Sequence, residues 1–267
     1  MWLEVAGKRV FAATGGKDFD PAKPAVVFIH GNACDHTVWA LQTRWFAYHG
    51  FSVLALDLPG NGRSEGPMLT SIEAFADWMP KLLDAAQIKT ATLVGHSMGA
   101  LIALETAARY PERVAKLSLL GFTYPMAVNP ELQKLADSGV YTVVELMNDW
   151  MITKKNQIGG NKVPGSYLLG GSIRLVDRAP RECLALGFRI CNDYSNGAEA
   201  VKAVQCPVQI LSGERDIMTS PRAVRGLMKD FKDARLDLLP GCGHLMMGER
   251  PDETLDALKS FIAGSVK

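Results

Sequence analysis

Short apolar runs alternate along this chain with longer stretches of helical period. Leu3–Thr14, LEVAGKRVFAAT, has a glycine at its middle and reads as an opening hairpin. Ala25–His30, AVVFIH, is almost continuously apolar, as a strand buried on both faces must be. Ser52–Asp57, Thr90–His96, Ala115–Gly121, Pro207–Gly213 and Ala234–Gly241 repeat that pattern. Between the early runs lie helical stretches. One ends at Gly50, one starts at Ser71 and should kink at Pro80, and one ends at Tyr110-Pro111. Strands alternating with helices predict an α/β fold, its sheet mostly parallel with right-handed crossovers. The alternation stops between Gly121 and Cys206. That stretch holds helical patterns (TVVELMNDWMI, RECLALGFRICNDY) and a glycine-rich loop, but no convincing buried strand. It reads as a helical cap, 121–206, inserted between two parts of one core, 1–120 and 207–267. Its length argues against an ordinary connection.

Composition narrows the partners. Lys+Arg total 29 and Asp+Glu 28, a net charge of +1 with no basic run, so nothing favours nucleic acid or an anionic membrane. The apolar runs are too short to span a bilayer, and the first residues lack the charged and apolar regions of a signal peptide. The five cysteines are scattered without a C-x-x-C pair, which fits reduced thiols in a cytoplasmic protein. Neither zinc-ligand spacing nor HExxH is present, so no metal site is expected.

The chemistry centres on Gly95–Gly99, GHSMG, where an apolar run gives way to a helical one. A serine hydroxyl is a weak nucleophile that needs exposure and a base. A tight strand-to-helix turn supplies exposure, glycines on either side let the backbone pack closely, and the helix N-terminus faces the reacting centre. Ser97 is therefore the candidate nucleophile. Of the five histidines, His96 is held in the same turn, His49 ends a helix and His30 closes an early strand. His244 follows the last strand in a glycine-rich loop, at the rim where strand carboxyl ends meet, and is the candidate base. An acid should fix its tautomer. Glu214 and Asp216 both follow the strand at Val208–Ser212; Asp216, deeper in the turn, is favoured, though it could instead cap the helix near Ser220. Acyl transfer also needs oxyanion donors: the amide of Met98, and that of Asn32 in the loop after the second apolar run.

Five pieces in order, HGN at His30–Asn32, LDLPGNGRS at Leu56–Ser64, GHSMG, GERD at Gly213–Asp216 and GCGH at Gly241–His244, resemble the α/β-hydrolase superfamily along nearly the whole chain. The resemblance implies about eight mostly parallel strands, a site under the cap, and a serine hydrolase with no cofactor. It makes Asp57 and Arg63 scaffold, and its order of residues places His36 too early to be the base. A serine at position 97 argues against dehalogenases and epoxide hydrolases, which use aspartate there. Small-ester hydrolases, carbon–carbon-bond hydrolases, acyl-homoserine lactonases and cofactor-free perhydrolases stay open, as does a non-catalytic binding protein on the same fold. Phe122, Tyr124, Met147 and Trp150, with Met126 and Met151, are candidates for an apolar substrate wall. Four arginines of the cap, Arg174, Arg178, Arg181 and Arg189, are expected to be solvated rather than to clamp an acid. The expectation is a small-molecule ester or thioester with an uncharged acyl part, handled by a monomer or homodimer.

Overall fold

The computed structural model describes residues 1–264. Its strands are β1 (Trp2–Val5), β2 (Lys8–Ala13), β3 (Ala25–Ile29), β4 (Ser52–Leu56), β5 (Ala91–His96), β6 (Val114–Leu120), β7 (Val208–Gly213) and β8 (Ala234–Leu239). They form one sheet in the order β1-β2-β4-β3-β5-β6-β7-β8. β1 and β2 are a hairpin, and β2 joins β4 antiparallel; every later pairing is parallel. The two-residue period divides each central strand between two cores. Val27, Ile29, Leu54, Leu56 and Leu93 pack on one side, and Val26, Phe28, Val53, Ala55 and Val94 on the other. Burial on both faces is why these strands read as unbroken apolar runs rather than as alternating ones.

Helices α1 (Ala40–Tyr48), α2 (Ile72–Ala85) and α3 (Met98–Arg109) follow β3, β4 and β5. The first helical run opens with a 3₁₀ turn, His36–Trp39, and the chain reverses at Gly50 at φ +89°. The Ser71 hydroxyl accepts from the Ala74 amide and so starts α2; the helix continues through Pro80. Its apolar face, with Phe75, Met79 and Leu82, is fully buried.

Residues 121–206 carry α4 (Pro130–Asp137), α5 (Thr142–Met151), α6 (Lys154–Gln157), α7 (Leu168–Arg178), α8 (Arg181–Asp193) and α9 (Gly197–Ala203), and no strand. α4, α5, α7 and α8 pack on one another, whereas α9 lies along α3. Glu105 of α3 secures the return of the chain: buried itself, it accepts from Tyr194 Oη (2.6 Å) and Asn196 Nδ2 (3.0 Å). The last part adds α10 (Pro221–Leu227), α11 (Met246–Glu249) and α12 (Pro251–Ile262). Among the described residues, no helix is long and apolar enough to cross a membrane.

Candidate active site

The strand-to-helix turn at Ser97 is strained in a specific way. Ser97 sits at φ +55°, ψ −120°, a conformation that a residue with a side chain rarely adopts. Its amide is held by the Leu120 carbonyl at 2.9 Å. A side-chain carbon on Gly95 would land on the Gly99 carbonyl, and one on Gly99 would land on the carbonyls of Ile29 and His30. Both glycines are therefore demanded by close backbone approach, which brings the N-terminus of α3 against the end of β3. At the start of α3 the Ala100 amide turns back to the Ser97 carbonyl at 2.8 Å, whereas the Met98 amide, first in the helix, has no acceptor within it.

His244 reaches the same place from the loop that follows the edge strand β8. Its Nδ1 lies 2.8 Å from Asp216 Oδ2. That carboxylate is also held by its own loop: Oδ1 accepts from the amides of Met218 (2.8 Å) and Thr219 (2.9 Å), and Oδ2 accepts from the Thr219 hydroxyl (2.6 Å). Burial pushes the Asp216 pKa up, but the His244 contact and the Thr219 hydrogen bonds outweigh it, so the acid stays ionised below the usual carboxylate range. A carboxylate at Nδ1 fixes the proton there and leaves Nε2 as the basic nitrogen. Nε2 is buried and has no hydrogen-bond partner among the described residues, Ser97 included. Glu214 is directed elsewhere and accepts from the Gly241 amide at 2.8 Å.

Ser97 and His244 line one cavity of about 320 Å³, together with Gly31, Asn32 and Thr219. Its wall is otherwise mostly apolar, with Met126, Met147, Trp150, Met151, Phe188 and Met218. Among the described residues, no Lys, Arg, Asp or Glu lines it. A match to the alpha/beta hydrolase family model spans residues 26–257.

The chain belongs to the alpha/beta hydrolase family.

Among its family relatives, a pimeloyl-[acyl-carrier protein] methyl ester esterase of Methylococcus capsulatus is 29% identical over 273 residues, covering 96% of this chain and 99% of the relative. A 2-(acetamidomethylene)succinate hydrolase of Mesorhizobium japonicum is 27% identical over 253 residues, with 90% and 88% covered. The enol-lactonase of Burkholderia xenovorans superposes with a TM-score of 0.87 at 21% identity, over 98% of this chain and all of that one, which establishes the shared hydrolase fold.

Within this hydrolase the expected wall divides. Met147 and Trp150 line the cavity. Phe122 does not: it is fully buried in the sheet core. Tyr124 turns away as well, donating to the Ser195 carbonyl at 2.6 Å and covering Gly197. Gly121, at φ +55°, is the reason for the change of direction. A side chain there would press on His244 Cε1 at 2.8 Å, so the backbone itself passes under the imidazole and residue 122 points down into the core. The four arginines pair with Asp177, Asp35, Asp177 and Asp137 rather than reaching the cavity.

The Asn32 side chain supports its loop instead of facing Ser97. Its Nδ2 donates to the Leu184 carbonyl of α8 at 2.9 Å, and Gly187 leaves the space that Oδ1 occupies. His30 fixes the same loop, donating through Nδ1 to the Gly31 carbonyl (2.8 Å) and accepting at Nε2 from the Leu58 amide (3.0 Å). Asp57 is scaffold in its contacts: fully buried, it accepts from the His36 amide and ring and from the Arg63 amide. Asp35, His36 and Asp57 bring three donor atoms within 4.8 Å, yet each is already engaged in such bonds.

Thr219 and Phe188 escaped the sequence reading. Thr219 holds both Asp216 and, at 3.3 Å, His244 Nδ1; an Asp followed at the third position by Thr was the available signal. Phe188 comes from a helix far along the chain and carried no signal. Cys34 and Cys191 both line the cavity, and burial pushes each thiol up to about 12, so neither is a ready thiolate nucleophile.

Proposed function

We propose that this hydrolase cleaves a small-to-medium carboxylic ester or thioester through an acyl-enzyme formed on Ser97. The single observation that carries this reading is the imidazole of His244: Nδ1 is pinned by Asp216, and Nε2 is buried, without a partner, in the wall of the cavity that Ser97 also lines. In the reaction His244 Nε2 takes the Ser97 proton as Oγ attacks the carbonyl carbon. The amides of Asn32 and Met98 hold the oxyanion. His244 then returns the proton to the leaving alcohol or thiol. Water, activated by the same nitrogen, attacks the acyl carbon, releases the acid and restores Ser97. Asp216 stays ionised throughout and stabilises the imidazolium. The Ser97–His244 hydrogen bond tightens once substrate is bound, as such bonds commonly do.

The cavity wall supports the choice of substrate. Four methionines, a tryptophan and a phenylalanine form a deformable apolar surface, and among the described residues no Lys or Arg lines it to receive an acidic acyl chain. Residues 121–206 serve as the cap that closes over it. The names of the relatives, a methyl ester esterase and a lactonase among them, belong to the same broad class of reaction. The test is hydrolysis of p-nitrophenyl esters from acetate to decanoate by wild type and Ser97→Ala. Turnover should disappear in the variant, and the chain-length optimum should report the depth of the cavity. Equal turnover by Ser97→Ala would overturn the mechanism.

A further inference from the structure

The loop bearing His244 is fastened to the α5–α6 joint by a carboxylate that takes no part in the proposed chemistry. Glu249, the last residue of α11, is fully buried. Its Oε1 accepts from the Gly243 amide at 3.0 Å, one residue before His244. Its Oε2 accepts from Thr153 N (3.1 Å), Thr153 Oγ1 (2.6 Å) and Asn156 Nδ2 (2.6 Å). Four donors thus converge on two oxygens, one from the His244 loop and three from the start of α6. The attachment is doubled by backbone: the amides of His244 and Leu245 both donate to the Met151 carbonyl, at 2.9 and 3.1 Å. Gly243 makes room for it, since a side-chain carbon there would meet Glu249 Oε1 at 2.7 Å.

The burial is costly and the location is telling. A fully buried carboxylate is tolerated only when its lone pairs are filled, and an apolar residue would hold the core together more cheaply. Here the ion joins two specific segments. One carries His244; the other ends in Met151, which walls the substrate cavity. We propose that Glu249 is a positioning residue: it locks the His244 loop to the α5–α6 joint, so that Nε2 is held toward the cavity although nothing there binds it. The inference rests on the serine-hydrolase reading above.

The test uses kcat and KM for p-nitrophenyl butyrate, with melting temperature measured on the same samples. Glu249→Ala strips four donors of their acceptor and threatens folding, so Glu249→Gln is the decisive variant. Glutamine keeps the shape, but its amide group must turn one N–H pair toward existing donors, at Gly243 or at Thr153 and Asn156. A displacement of His244 by a fraction of an ångström should lower kcat by about tenfold to a hundredfold while KM stays within about threefold. Thr153→Val should give a smaller fall in the same direction. A Glu249→Gln enzyme that melts lower yet keeps the wild-type kcat would overturn the inference, because a merely structural contact would behave so. A loss confined to KM would overturn it too. Ser97→Ala, run in parallel, separates the two failures: if it stays active, the reading itself falls and the inference with it.

Discussion

Gly187 offers a sharp test of how α8 and the Asn32 loop depend on each other. In an exposed helix, Gly→Ala is expected to stabilise by about 1 kcal/mol. At Gly187 the new methyl carbon would land on Asn32 Oδ1 and within 2.7 Å of Nδ2. Asn32 cannot simply swing aside, because it is only 6% exposed and its Nδ2 is bonded to the Leu184 carbonyl of the same helix. Overpacking of this kind costs about 1–3 kcal/mol, and the broken hydrogen bond about 0.5–1.5 more. After the gain in propensity, Gly187→Ala should destabilise by roughly 0.5–3.5 kcal/mol, the reverse of the usual sign. Any relief by movement of the loop displaces the Asn32 amide, so kcat should fall on the order of tenfold. The assay is urea denaturation with kcat on a p-nitrophenyl ester, for Gly187→Ala, Asn32→Ala and the double variant. Removing the Asn32 side chain removes the obstacle, so the double variant should be more stable than the sum of the singles by at least about 1 kcal/mol. A stabilised Gly187→Ala with unchanged kcat, or strict additivity, would refute the steric argument.

Other outcomes follow from the same geometry. Ser97→Gly should lose turnover but raise the melting temperature, because glycine relieves a φ of +55°; strain of this type is worth about 1–3 kcal/mol, partly offset by glycine's backbone entropy, and an unchanged or lower melting point would count against it. Asp216→Asn should keep the fold and lower kcat on the order of 10⁴-fold by unsettling the tautomer of His244, which steady-state kinetics would show. His96 is buried, and its pKa is lowered to about 3 by that burial and then by His244. The unfolded chain takes up this proton near pH 6.5, so between those values only the unfolded state is protonated and stability falls as pH drops, by up to about 1.4 kcal/mol per unit. Urea denaturation of His96→Asn at about pH 7 and pH 5 should show a shallower fall than wild type; an equal slope would mean that His96 is not the group responsible.

The parts of this fold that were legible in the sequence are those set by local periodicity. A doubly buried parallel strand must be apolar at nearly every position, so the central strands β3 to β7 could be located within a residue or two; the hairpin β1–β2, split by Gly7, and the partly exposed edge strand β8 were read from weaker runs. The turn at Ser97 was legible because its two glycines answer a steric demand that no other residue meets. His244 and Asp216 could be sought because the chemistry needs an imidazole and an acid at the strand ends, and strand ends were visible. Contacts between segments far apart in the chain were not legible. Nothing around Phe122 reveals that Gly121 bends beneath an imidazole more than 120 residues away, turning the next side chain into the core. Nothing around Asn32 reveals that its amide would be spent on Leu184, or around Glu249 that Thr153 and Asn156 would complete its donors. The sequence by itself determined the layers, the turn that exposes Ser97 and the kinds of side chain that chemistry there requires. Only the tertiary structure decided which of them share a cavity, because hydrogen bonds and packing between distant segments depend on how the chain returns upon itself, and that leaves no period to read.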